Sequence, residues 1–173
     1  QGDELGLTEA SLRFEELQDP YGITMWPEFK GRDGCRTPMP WSGAQAHAGF
    51  TKGKPWLPVA TEHLPLAADA QASDAGSLLN FYRHLLRWRK TQPALVHGSM
   101  QVLDGHDQVV AYTRSQAGQS LLCVFNFSDT VASWEIPDGL RTATVLNNSL
   151  LQGAQVVGHH VELQPWCGLL ASV

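Results

Sequence analysis

Between Asp74 and Gln92, apolar side chains recur at helical spacing: Leu78, Tyr82, Leu85, and then Trp88 or Arg89. The spacing predicts one helix over 74–92 with a single apolar stripe. Ser73 or Asp74 can cap its start, and Arg87, Arg89 and Lys90 suit the negative end of the helix dipole. Pro93 is its stop signal. After His97 the period becomes two. Met100–Val102, Val110–Tyr112, Leu121–Phe127, Val131–Ile136, Ala143–Leu146, Val156–Val157, Val161–Leu163 and Leu169–Val173 read as short strands. Turn clusters divide them at Asp104-Gly105, Gln116–Gln119, Asp138-Gly139, Asn147-Asn148 and Gly158. Short strands at such intervals predict an antiparallel sandwich or barrel, with a domain boundary near residue 96.

Neither period holds from Thr8 to Ala72. Seven of the ten prolines lie between Pro20 and Pro65, among glycines at 22, 31, 34, 43, 49 and 53, which disfavours a long helix or a central strand. Yet Trp26, Phe29, Trp41, Phe50 and Trp56 fall here too, and a disordered linker lacks aromatics. We expect a folded, aromatic-rich excursion that shapes a binding surface, because long irregular loops in compact proteins are usually functional. The opening residues Gln1–Leu7 read as a strand-to-loop transition, and so as the continuation of a longer chain.

Composition narrows the function classes. The 173 residues carry 12 Lys+Arg against 17 Asp+Glu, a formal net charge of −5, and 43% are hydrophobic, enough for a core. The acidic balance argues against nucleic acid or an anionic membrane as partner. No apolar run approaches the roughly 20 residues needed to span a bilayer, and no leader is read at the start. Cys35, Cys123 and Cys167 lie far apart without metal-ligand or disulfide spacing, so we expect free thiols in a reducing cytoplasm and neither a metal site nor a cofactor.

Candidate chemistry concentrates in Gly31-Arg32-Asp33-Gly34-Cys35-Arg36-Thr37-Pro38-Met39-Pro40-Trp41. A guanidinium can clamp a carboxylate or hydrogen-bond several sugar hydroxyls in a fixed fork. The plainer alternative is a loop salt bridge between Asp33 and one arginine. Sequence neighbours such as Asp3/Glu4 and Glu15/Glu16 point to opposite faces of a strand and make no catalytic pair. Glu15/Glu16 reads as a solvated face, and Asp3 and Glu4 as carboxylates bonded to nearby backbone. Trp26, Trp41 and Trp56 either stack on sugar rings or form small satellite cores. The seven histidines lack ligand spacing and read as structural or solvated.

Three ordered blocks carry a resemblance: Gln1–Gly6, Gly31–Trp41, and Ala48-Gly49-Phe50-Thr51-Lys52-Gly53-Lys54-Pro55-Trp56. They are similar to the alpha-glucosidases of glycoside hydrolase family 13, relatives of alpha-amylase and oligo-1,6-glucosidase. Leu17–Lys30 resembles the bacterial cytoplasmic branch that acts on short substrates.

The resemblance implies an α+β fragment: the end of a (β/α)8 barrel followed by an antiparallel β-sandwich C-terminal domain. Residues 1–96 would hold the end of the eighth barrel strand, its long loop and helix 74–92, and residues 97–173 the β domain. It implies a retaining alpha-glucosidase whose nucleophile, acid/base and stabilising carboxylates lie upstream, so no catalytic residue is assigned here. Arg32 resembles the arginine that closes the innermost glucose subsite against a barrel carboxylate. Asp33 and Arg36 would brace its loop, and Glu4 would support the strand-eight exit. The implied partners are a short alpha-glucoside and, for the fragment, the upstream barrel or a second copy met through the Leu78–Leu85–Trp88 stripe. A transglycosylase, sucrose isomerase or trehalose synthase parent, or an autonomous sugar-binding or interaction module, are the alternatives.

Overall fold

Gln119–Asn126 is the central strand of a sheet, and its residues Leu121–Val124 are buried on both faces. The computed structural model of the protein describes residues 1–146 and 151–173. Its strands are β1 (Ser99–Val102), β2 (Val109–Gln116), β3 (Gln119–Asn126), β4 (Ala132–Glu135), β5 (Thr144–Val145), β6 (Ala154–Val157), β7 (His160–Leu163) and β8 (Gly168–Ser172). They form a five-stranded sheet, β1-β2-β3-β8-β5, and a three-stranded sheet, β4-β7-β6, with every pairing antiparallel. All eight expected strand segments are present. The expected turn at Asn147-Asn148 lies outside the described residues.

Alternation along the strands sorts the core. Ala111, Leu122, Val124, Leu169 and Ala171 point to one side of the large sheet and meet Ala132, Trp134, Val161 and Leu163 of the small one. Leu121, Cys123 and Leu170 point to the other side, where Ala94, Leu95 and Trp88 cover them. A strand buried on both faces has no polar side, which is why β3 reads as an unbroken apolar run and not as an alternation. Two-residue loops set the register. Ala117 and Gly118 both adopt positive φ (48° and 82°), which gives the β2–β3 hairpin a type I′ turn whose twist matches its strands.

The helices are shorter than the pattern predicts. They are α1 (Pro20–Thr24), α2 (Ala68–Ser73), α3 (Leu78–Lys90) and α4 (Pro93–His97). Ser77 and not Ser73 or Asp74 caps α3: its Oγ accepts the Asn80 N–H at 3.3 Å, while Asp74 Oδ1 accepts the Gly76 N–H in the preceding turn. α3 stops at Lys90, ahead of Pro93. Pro93 is the first residue of α4, a position where its missing N–H costs nothing. Leu85 and Trp88, expected to meet the barrel or a second copy, lie against the chain's own sheet residues Tyr112 and Leu170, whereas Leu78 and Leu86 are exposed.

The chain divides into two compact units, Gln1–Arg83 and His84–Val173, with α3 crossing the division. The first unit is held by short 3-10 turns, by α1 and α2, and by a small cluster of Leu12, Leu17 and Leu57 under Trp26. Its opening residues form a 3-10 turn at Asp3–Leu5 between left-handed glycines 2 and 6, in place of the expected strand end. Among the described residues, no helix is long and apolar enough to cross a membrane.

Candidate functional site

Asp19-Pro20 is a helix-start signal: aspartate caps, and proline suits the first helical position. In α1 the Asp19 Oδ1 accepts the Tyr21 N–H at 3.1 Å. That leaves Oδ2 free to reach thirteen residues on, where it accepts the Arg32 backbone N–H at 3.1 Å and the Arg32 Nε–H at 3.0 Å. The approach depends on glycine. A Cβ on Gly22 would lie 2.5 Å from the Lys30 carbonyl oxygen, and Gly31, at φ 75°, turns the chain into Arg32.

The pair is asymmetric. The Asp19 side chain is 2% exposed and that of Arg32 is 64% exposed. The Arg32 hydrogen bond holds the Asp19 carboxyl down at about 2, against burial, which alone would raise it. Arg32 is correspondingly raised by the same contact. With Nε engaged, the two terminal nitrogens of Arg32 carry no partner among the described residues.

Asp33 does a different job. It is fully buried, and one oxygen, Oδ2, accepts the backbone N–H groups of Gln18 at 2.6 Å and Asp19 at 2.7 Å. Its Oδ1 is buried without a partner among the described residues. The loop salt bridge weighed from the sequence is therefore real but made by Asp19. Asp33 instead fixes the backbone that carries Asp19. Arg36 is exposed with no side-chain partner among the described residues, and its N–H closes the turn on the Asp33 carbonyl at 2.9 Å. Glu4 is half-buried in the opening 3-10 turn, also without a side-chain partner among the described residues.

The opening segment and the Arg32 loop do meet. The Gln1 amide donates to the Thr37 carbonyl at 2.7 Å, the Ala10 N–H donates to the Gly34 carbonyl at 3.0 Å, and a cleft of about 270 Å³ between them is walled by Asp3, Glu9, Thr37 and His63. Neither Arg32 nor Glu4 lines it. His63 is 2% exposed and ties its Nε2 to the Thr8 carbonyl at 2.9 Å, a structural role.

The tryptophans separate by environment. Trp26 caps the small leucine cluster, with Lys30 Nζ 5.9 Å from its ring centroid. Trp41 and Trp56 are exposed, as is Phe50. Phe50 follows three consecutive left-handed residues, His47, Ala48 and Gly49. For the first two that conformation is costly, and the Ser42 N–H at 2.9 Å from the buried Ala48 carbonyl helps hold it.

Asp19 is the residue that sequence reasoning missed. Its cap signature was readable at Asp-Pro-Tyr-Gly, but a cap predicts only one of its three hydrogen bonds. The arrangement holds one edge of the Arg32 guanidinium against Asp19 and leaves its terminal N–H donors without a partner among the described residues, a geometry suited to hydrogen-bonding a polar ligand. Among the described residues no cluster of His, Cys, Asp and Glu could hold a metal ion.

The chain is 40% identical over 171 residues to a probable alpha-glucosidase of Rhizobium meliloti (strain 1021), covering 99% of this chain and 30% of that one. It is 28% identical to the oligo-1,6-glucosidase of Parageobacillus thermoglucosidasius, covering 96% and 33%. Among solved structures, the alpha-glucosyl transfer enzyme XgtA superposes with a TM-score of 0.93 at 45% identity, over 99% of this chain and 32% of that one. The trehalulose synthase MutB from Pseudomonas mesoacidophila MX-45 superposes at 0.82 and 33% identity, over 99% and 34%. The chain thus spans about a third of the length of these relatives. The model of the alpha amylase catalytic domain matches residues 1–98, more than half of the sequence, and the chain belongs to the alpha-amylase family.

Proposed function

We propose that the chain is the C-terminal part of a retaining alpha-glucosidase that releases terminal glucose from short alpha-glucosides. In this reading residues 1–96 complete the (β/α)8 barrel with the loop after strand eight and the eighth helix, and residues 97–173 are its β-sandwich domain. Loops on that face of such a barrel build the active site. Arg32 binds the non-reducing glucose. The observation that carries this is its state: Nε is spent on the buried Asp19, while the terminal nitrogens, on an exposed side chain, have no partner among the described residues.

Asp33 then positions rather than binds, through the Gln18 and Asp19 N–H groups, and Arg36 closes the same turn. Glu4 supports the chain where it leaves the barrel. The exposed Trp41, Phe50 and Trp56 narrow the approach for short substrates. The two carboxyl groups that form and hydrolyse a glucosyl intermediate belong to the preceding barrel. Positioning contributes several kcal/mol but cannot replace an acid and a nucleophile. Purified alone, the 173-residue chain should therefore leave a chromogenic alpha-glucoside unhydrolysed, and the longer enzyme should turn it over. Hydrolysis by the chain alone, above buffer, refutes this reading.

A second reading has its own support: the alpha-glucosyl transfer enzyme and the trehalulose synthase superpose closely on this chain. The longer enzyme would then hand glucose to a second sugar rather than to water. Product analysis with maltose or sucrose decides between free glucose and a rearranged or lengthened saccharide.

A further inference from the structure

On the face of the large sheet turned toward α3 and α4, Tyr112, Cys123 and Leu170 stand side by side on three neighbouring strands. With Trp88 and Phe125 they wall an apolar cleft of about 180 Å³. An apolar cavity of about 150 Å³ takes a benzene ring in another protein, so a phenyl group fits here. Tyr112 and Phe125 already stack with centroids 6.1 Å apart, a surface suited to a third ring.

Two guanidinium groups line this apolar cleft, and among the described residues no acid does. Arg114 on β2 gives one nitrogen to the Gly98 carbonyl at 2.8 Å, and its buried Nε has no partner among the described residues. Arg89 on α3 gives one nitrogen to the Leu95 carbonyl at 3.0 Å. Neither forms an ion pair among the described residues. The other ionisable walls stay neutral. Burial pushes the Cys123 thiol up to about 11, and burial also raises the Tyr112 phenol although both arginines oppose it. An apolar cleft with two cations and no anion is complementary to an amphipathic anion.

We propose that this cleft is a binding site for an aromatic monocarboxylate, its ring against Trp88, Tyr112 and Phe125 and its carboxylate accepting hydrogen bonds from Arg89 and Arg114. The site lies in the β-strand unit and is independent of the glucose-binding reading of Arg32.

Calorimetric titration of the protein with phenylacetate tests it, with phenylacetamide and acetate as controls. Phenylacetate should saturate with a dissociation constant below about 1 mM. Phenylacetamide lacks the charge and acetate lacks the ring, so each should bind at least about tenfold more weakly. Arg114→Gln should weaken phenylacetate about tenfold, and Arg89→Gln, at an exposed position, should weaken it in the same direction, each variant first shown to keep the parent's circular dichroism spectrum. Equal binding of phenylacetate and phenylacetamide would overturn the charge argument. No saturable phenylacetate binding by the folded protein would overturn the site altogether, leaving a cleft that holds only water.

Discussion

Replacing Asp33 by asparagine should unfasten the Arg32 loop at its root. The carboxylate is fully buried, and a single oxygen takes two short backbone hydrogen bonds, at 2.6 and 2.7 Å. Hydrogen bonds to a charged group contribute about 1.5–3 kcal/mol and neutral ones about 0.5–1.5 kcal/mol, so each bond should weaken by about 1 kcal/mol. The amide nitrogen would take the place of Oδ1, where there is no acceptor among the described residues, and this adds a further cost. Relief from burying a charge acts in the opposite direction. The net loss should be about 2 kcal/mol, read by urea unfolding, or about 4–8 °C in Tm for a chain of this size. A second signal is more specific. The Gln18 and Asp19 N–H groups hold Asp19 in place, so in Asp33→Asn the Asp19 carboxyl should titrate closer to its ordinary 3.8 than to about 2, seen by carbon NMR. A variant within 0.5 kcal/mol of the parent, with Asp19 unshifted, would show that Asp33 is merely buried and does not position anything.

Two further outcomes follow from local geometry. Asp19 has a folded value below its unfolded one, so its contribution is present above pH about 4 and lost as pH falls through about 2. Acid titration of stability should show a fall across that window which Asp19→Asn lacks, and identical acid profiles would remove the pairing from the account. Ala117 sits at φ 48° in a type I′ turn that favours asparagine followed by glycine. Ala117→Asn should raise stability by about 0.5–1 kcal/mol in thermal unfolding. A loss of stability would mean that the hairpin uses another turn.

The strands and the main helix were legible because burial imposes a period. The β4 residues Ala132 and Trp134 face the core while Ser133 and Glu135 face out, and that alternation is written in the sequence. The start of α3 was misjudged because Ser73, Asp74 and Ser77 are all capping residues. Only the Asp74–Gly76 turn, formed in three dimensions, leaves Ser77 to do it. Likewise α4 was hidden behind Pro93, which signals an end and a beginning with the same ring.

At the site, the Gly31–Trp41 block stood out by residue type, and Arg32 with it. The resemblance gave Asp33 a bracing role, but neither its backbone partners at Gln18 and Asp19 nor the partner of Arg32 could be read from residue type. An ion pair between residues 19 and 32 leaves no periodic trace, since it depends on how close Gly22 lets the Lys30–Gly31 backbone come. Nothing local distinguishes an aspartate that binds an arginine from one that binds backbone.

In the proposed function Arg32, held by Asp19, binds glucose. The most direct test is kcat/KM for a chromogenic alpha-glucoside in the longer enzyme, comparing Arg32→Lys with the parent. Lysine keeps the charge but loses the Nε anchor and the planar fork. We predict a fall of about 10- to 100-fold, equivalent to one charge-assisted hydrogen bond lost from the transition state. Turnover within a factor of two of the parent would contradict the account, because a charge on an unaimed tether would then serve as well as the fixed guanidinium.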